Sequence, residues 1–113
     1  MSKKPKRYFN NRAIAQLERE GWCADSVDRQ VTRTVSKDYC GMFDIIAFRG
    51  GRFPKVAGIQ VTDSTNHAAR RKKCLANPLL KKWIAPGRTA EVWSYNERNE
   101  LRTEVLEVPD AKA

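Results

Sequence analysis

The chain has 113 residues, 41% of them hydrophobic, and carries 22 Lys or Arg against 13 Asp or Glu, a formal net charge of +9. That length holds one domain around one core, and the positive excess points to a polyanionic partner, nucleic acid first and an anionic membrane second. No long apolar stretch and no signal-like N-terminus is visible, which argues against a membrane span and for a cytoplasmic protein.

Residues 1–9 open with MSKKPKR, a basic and polar tail. From about Asn11 to Glu20, the spacing of Ala13, Ile14 and Leu17 predicts a helix with one buried stripe. Asn10 or Asn11 caps it, and Gly21 ends it in the left-handed conformation. Trp22 to Val35 predicts a strand followed by an extended stretch. Arg29 and Arg33 there are either a solvated edge or a phosphate-facing rim.

Met42–Phe48 and Val56–Thr62 are the next two strands, apolar runs joined by Arg49-Gly50-Gly51-Arg52-Phe53-Pro54. They predict antiparallel neighbours in the middle of the sheet. Asp44 and Gln60 interrupt them. Side chains alternate with period two, so Asp44 shares a face with Ile46 and Phe48, and Gln60 with Gly58 and Thr62. A hairpin across Gly50-Gly51 brings the two polar residues together. A carboxylate and an amide carbonyl are hard oxygen donors suited to Mg²⁺ or Mn²⁺. The blander alternative is a hydrogen-bonded Asp–Gln pair without chemistry. Either way, a carboxylate in such a strand is costly unless it is paired or binds a cation.

Ser64, Thr65 or Asn66 caps a helix that runs to about Ala76. Its free N–H groups start beside Thr62, where they favour phosphate. Arg70, Arg71, Lys72 and Lys73 wind around it, so not all four face one ligand. Asn77-Pro78 begins a short second helix with Leu79, Leu80, Trp83 and Ile84 as its stripe, stopped by Pro86-Gly87. Thr89–Tyr95 and Leu101–Val108 predict a hairpin over Asn96-Glu97-Arg98-Asn99. Residues 109–113 are expected to fray. The domain therefore spans 10–108 in the order α-β-β-β-α-α-β-β, an α/β or α+β mixed sheet flanked by helices. Cys23, Cys40 and Cys74 form no C-x-x-C pair and read as free thiols. With His67 the lone histidine, no zinc-finger spacing is met.

A helix ending in Glu-Gly-Trp, a strand reading Phe-Asp-Ile-Ile-Ala, a turn and a strand ending Ile-Gln-Val-Thr resemble the PD-(D/E)XK nuclease superfamily. Within it, the likeness is to archaeal Holliday-junction resolvases and small phage-type nucleases, over roughly Asn10 to Cys74. The resemblance implies a restriction-endonuclease-like sheet and one or two divalent metals that activate water against a phosphodiester. Asp44 matches the motif Asp, Gln60 the second acid and Thr62 the lysine. Gln60 brings no charge, Thr62 no cation, and the helical acid sought near Asn10 is missing. Candidates for a relocated cation are Lys37, Lys55, Lys72 and His67. Asp38, in the segment before the strand, is either a second carboxylate or part of a capped turn.

Two function classes fit. One is a metal-dependent DNA endonuclease, a hydrolase acting on branched structures, with Asp44, Gln60 and Asp38 on Mg²⁺ or Mn²⁺ and Lys37 or His67 near the phosphate. The other is a nuclease-fold module that binds DNA without cleaving it. Both account for +9. Both use Arg29, Arg33, Lys55, Arg70, Arg71, Lys72 and Lys73 against phosphates. A basic partner protein without a nucleic-acid role is the bland third class. By analogy with resolvase-like relatives, a homodimer is expected.

Overall fold

The structure, a computed structural model, describes residues 6–27, 29–30 and 36–107. Helix α1 (Lys6–Arg19) begins a turn earlier than its pattern suggests. The reason is packing: Asn10, Ala13 and Leu17 lie on one buried stripe, and Phe9 stacks on Tyr95 with ring centroids 6.1 Å apart. Residues 6–9 are thus the helix's first turn rather than tail. Gly21 ends it at φ 90°, as expected for a left-handed terminator.

Five strands form the main sheet, in the order β1 (Cys23–Ser26), β4 (Ile45–Arg49), β5 (Lys55–Asp63), β6 (Arg88–Tyr95) and β7 (Leu101–Val105). A separate pair, β2 (Arg29–Gln30) with β3 (Ser36–Lys37), lies in the connection between β1 and β4. β4 and β5 pair antiparallel across the Gly50-Gly51 turn, with Ile45 opposite Ile59 and Arg49 opposite Lys55. β6 runs parallel to β5 and β7 antiparallel to β6. A parallel neighbour requires a crossover. Here it is one turn of 3-10 helix (Ser64–Asn66), then α2 (His67–Ala76) and α3 (Leu80–Trp83). The main sheet therefore follows the expected order, with only the short β2–β3 pair added.

Residues 57–62 of β5 are buried without a break, which is why this strand reads as an apolar run rather than an alternation. On one face, α1 packs Ala13 and Leu17 against Ile45, Ala47, Ala57, Ile59, Val61, Trp93 and Tyr95. On the other, α2 and α3 place Cys74 and Leu80 over Met42, Phe43, Ala90 and Val92. Gly58 is required there: a Cβ on it would meet the Phe43 ring at 2.6 Å. Phe43 in turn packs on Trp83 at 4.9 Å between centroids. Among the described residues, no helix is long and apolar enough to cross a membrane.

Candidate functional site

Two local devices deliver polar groups to the α2 face of the sheet. The first is a tight turn. Tyr39 pairs with Phe43, and Cys40 and Gly41 take φ 55° and 72° between them. This reversal folds Asp38 back over the start of β4. The second is the end of β5, where Gln60 and Thr62 project from the same face.

The two devices meet. Gln60 Nε2 donates to Asp38 Oδ2 at 2.9 Å and to the Met42 carbonyl at 2.8 Å. With its nitrogen facing two acceptors, the amide orientation is fixed. Gln60 Oε1 is consequently turned away, fully buried, and receives no hydrogen bond from any described residue. Asp44, fully buried, accepts from the Val61 backbone N–H at 2.9 Å through Oδ2. Of the three expected site residues, Gln60 and Asp38 touch, and Asp44 bonds the backbone of Val61, the residue after Gln60.

A cation completes the cluster. Lys73 Nζ lies 3.6 Å from Asp38 Oδ2, with the carboxylate side chain only 7% exposed. Cys74, next in sequence and fully buried, reports the local charge. Burial pushes its thiol up to about 11; Lys73 and Arg70 pull it down, while Asp38 and Asp44 push it further up. All four charged groups therefore act electrostatically on the buried thiol. At neutral pH Cys74 stays a thiol and is no thiolate ligand.

The remaining candidates are placed elsewhere. His67 sits at the start of α2 but points into the protein, 1% exposed. Its Nε2 lies 2.8 Å from Glu104 Oε1 and its Nδ1 2.7 Å from Ser94 Oγ. A carboxylate only accepts, so Nε2 donates to Glu104, and the Ser94 hydroxyl, which can donate or accept, pairs with Nδ1. The order of groups is that of a Ser–His–acid triad, yet Ser94 is fully buried and no substrate reaches it. His67 ties α2 to β6 and β7 instead of facing a phosphate. Glu104 is held below the usual carboxylate range by that His67 contact, with Arg71 adding to it. Arg71 itself lies 3.5 Å from Glu104 Oε2, so it is partly engaged.

Lys55 lies at the opposite end of β5 from Thr62, roughly 20 Å away at strand rise. It is no substitute for a cation at the site. Lys72 is exposed on α2. Arg33 lies outside the described residues, and for Arg29 and Lys37 only the backbone, in β2 and β3, is described. Asn10, where an acid was sought, is 5% exposed, and its Oδ1 has no hydrogen-bond partner among the described residues. Sequence reasoning placed Lys73 only among phosphate contacts. Its pairing with Asp38 depends on the rotation of α2, which the buried Cys74 sets.

No protein-family model matches the sequence, and no curated protein matches it. Among solved structures, the chain is similar to the 1.6 Å structure of Hjc, a Holliday junction resolvase of the archaeal hyperthermophile Archaeoglobus fulgidus. The match covers 88% of this chain and 75% of that one at 20% identity, with a TM-score of 0.55. The chain has the fold of the PD-(D/E)XK nucleases. Gln60 lies on β5, the central strand of that sheet, while Asp44 stands in the bend just before β4, which starts at Ile45 rather than at Met42 as expected.

The acceptor atoms at this cluster are all oxygens, apart from the Cys74 sulfur. Among the described residues, no three His, Cys, Asp or Glu side chains group as metal ligands. A divalent ion, were one bound here, would have the carboxylates of Asp44 and Asp38 and Gln60 Oε1 as its available donors. That all-oxygen set suits Mg²⁺ or Mn²⁺ and no softer metal. The buried, unsatisfied Gln60 oxygen fits such a cation as its missing partner.

Proposed function

We propose that this protein is a nuclease-like DNA-binding protein that hydrolyses phosphodiesters with one divalent cation, acting on branched DNA. One observation carries the reading: Gln60 presents a fully buried oxygen with no donor among the described residues, beside two carboxylates and a lysine. A Mg²⁺ or Mn²⁺ ion held there would polarise a phosphoryl oxygen and lower the pKa of a bound water. The protein's own residues do the rest. Asp44, fixed by the Val61 N–H, presents a carboxylate from the bend that leads into β4. Asp38 and the Gln60 amide hold each other in place. Lys73 and Arg70 bring positive charge to the side where α2 meets the cluster, favouring an anionic phosphate. The net charge of +9 draws DNA to the surface without reading its sequence. The likeness to the archaeal resolvase supports branched DNA as the substrate, and a homodimer as the working unit is proposed by analogy.

The test is cleavage of supercoiled plasmid and four-way-junction DNA in Mg²⁺ or Mn²⁺ against EDTA, for the wild type and Asp44→Asn. Metal-dependent nicking that disappears in the variant supports the reading. A second reading has its own support: Asn10, Gln60 and Thr62 are all neutral where the fold's catalytic members carry charge. On that reading the protein binds DNA and cuts nothing. Retained DNA binding with no cleavage in either metal selects it.

A further inference from the structure

The α1 face of the sheet, opposite the cluster just described, holds a cavity of about 210 Å³. Its walls include the indoles of Trp22 and Trp93, the carboxylates of Glu91 and Glu20, and Thr103. Glu91 is out of place by pattern. It occupies the same face of β6 as Trp93 and Tyr95, two residues of the α1-side core. Its neighbours in register are Ile59 and Val105. A carboxylate among such neighbours needs a partner.

The partners present are neutral. Trp93 Nε1 donates to Glu91 Oε1 at 2.9 Å, and the Thr89 hydroxyl donates to Oε2 at 3.0 Å. These two bonds fix the carboxylate's orientation and leave part of its acceptor capacity unused. Among the described residues no cation pairs with Glu91. Among the described residues no Lys or Arg lines the cavity. The Trp22 indole also carries a cation of this chain: Arg49 Cζ lies over its ring, 5.1 Å from the centroid.

We propose that this cavity binds the guanidinium or ammonium end of an organic cation, seated against the Trp22 and Trp93 indoles and the Glu91 carboxylate. Aromatic faces and a fixed carboxylate together select a cation over a neutral group of the same shape. The site is independent of the nuclease reading, because it lies on the other face of the sheet and uses none of that cluster's residues.

The test is an NMR titration of the full chain, following its three tryptophan indole N–H signals. The probes are butylguanidinium and its neutral isostere butylurea. Butylguanidinium should shift the Trp22 and Trp93 signals saturably and leave Trp83 in place, while butylurea at equal concentration shifts neither. Glu91→Gln keeps an acceptor for Trp93 and should weaken butylguanidinium binding at least tenfold. Spermidine and a Gly-Arg-Gly peptide then separate the sources: tighter binding of the first marks a free polyamine, of the second a protein side chain. Equal shifts with butylurea, or undiminished binding in Glu91→Gln, overturn the proposal. Should Glu91→Gln alter the fold, the butylguanidinium-to-butylurea comparison on wild type decides alone.

Discussion

Gln60 Nε2 and Asp38 Oδ2 lie 2.9 Å apart, so the amide at the second-acid position of the nuclease motif works as a hydrogen-bond donor to a neighbouring carboxylate. A glutamate at that position cannot make this bond. The amide nitrogen holds Asp38 and the Met42 carbonyl, and its oxygen alone is left for a cation.

Gln60→Glu should therefore act in two directions. Without metal it sets two carboxylates against each other and leaves the Met42 carbonyl with only the weak Cys74 thiol donor, at a cost of about 1–3 kcal/mol. With Mn²⁺ the added charge strengthens binding. Thermal melts with and without Mn²⁺ should show a lower midpoint for the variant in EDTA and a larger metal-induced rise than in wild type. A variant as stable as wild type in EDTA contradicts the account.

Asp44→Asn should lower metal-dependent cleavage at least a hundredfold and leave the fold intact, because an amide oxygen still accepts from the Val61 N–H. Asp44→Ala removes that acceptor inside the core and should cost about 1–3 kcal/mol. Urea denaturation distinguishes the two. Equal stability losses would mean that the Val61 contact contributes little.

Asp44 and Gln60 stood out in the sequence because each interrupts an otherwise apolar run, and period two assigned Gln60 its face; Asp44 instead sits in a bend one residue before β4, where alternation does not apply. Asp38 was legible only as an option. Its arrival beside Gln60 depends on the left-handed backbone at Cys40, a residue with no glycine-like signature. Lys73 was hidden inside four consecutive basic residues, where sequence gives no helix phase. The phase comes from His67 and Cys74, the two side chains of α2 that are buried. His67 was misplaced for the same reason. A histidine at a helix start reads as solvent-facing until the Ser94 and Glu104 partners, 27 and 37 residues away, are known.

His67→Ala should cost about 3 kcal/mol, since it empties a buried site and leaves the Ser94 hydroxyl unpaired. It should also change acid stability. Glu104 is held below its ordinary value of 4.5 mainly by His67. A carboxylate depressed on folding adds stability above its unfolded pKa, and that stability is lost as pH falls through the lower folded value. Wild type should thus lose stability below pH 4.5 more steeply than His67→Ala, as urea midpoints across that range will show. Parallel curves would remove Glu104 from the explanation.

Arg70→Glu with Lys72→Glu should weaken DNA binding at low salt and flatten its salt dependence. Each lost phosphate contact lowers the slope of log K against log salt by about 0.9. Arg71→Glu should have an added structural cost, because Arg71 is engaged with Glu104. Gel-shift titrations at several salt concentrations measure the slope. An unchanged slope in the double variant moves the DNA surface off α2.

Lys73 is the described cation that pairs with Asp38, and Thr62, where the motif lysine is expected, has no charge to offer. Thr62 is 7% exposed and lies opposite Ser94 in register, in a packed part of the sheet. The ammonium near the cluster therefore comes from α2. Lys73 is 49% exposed, so its ion pair contributes about 0–1 kcal/mol to folding. Replacing it should leave the fold in place. Lys73→Met should reduce cleavage by at least tenfold, with a melting midpoint near that of wild type. Lys73→Arg keeps the charge and should retain most of the activity. A Lys73→Met variant that cleaves like wild type would show that the cation on α2 takes no part, and that charge at the phosphate comes from elsewhere on the basic surface.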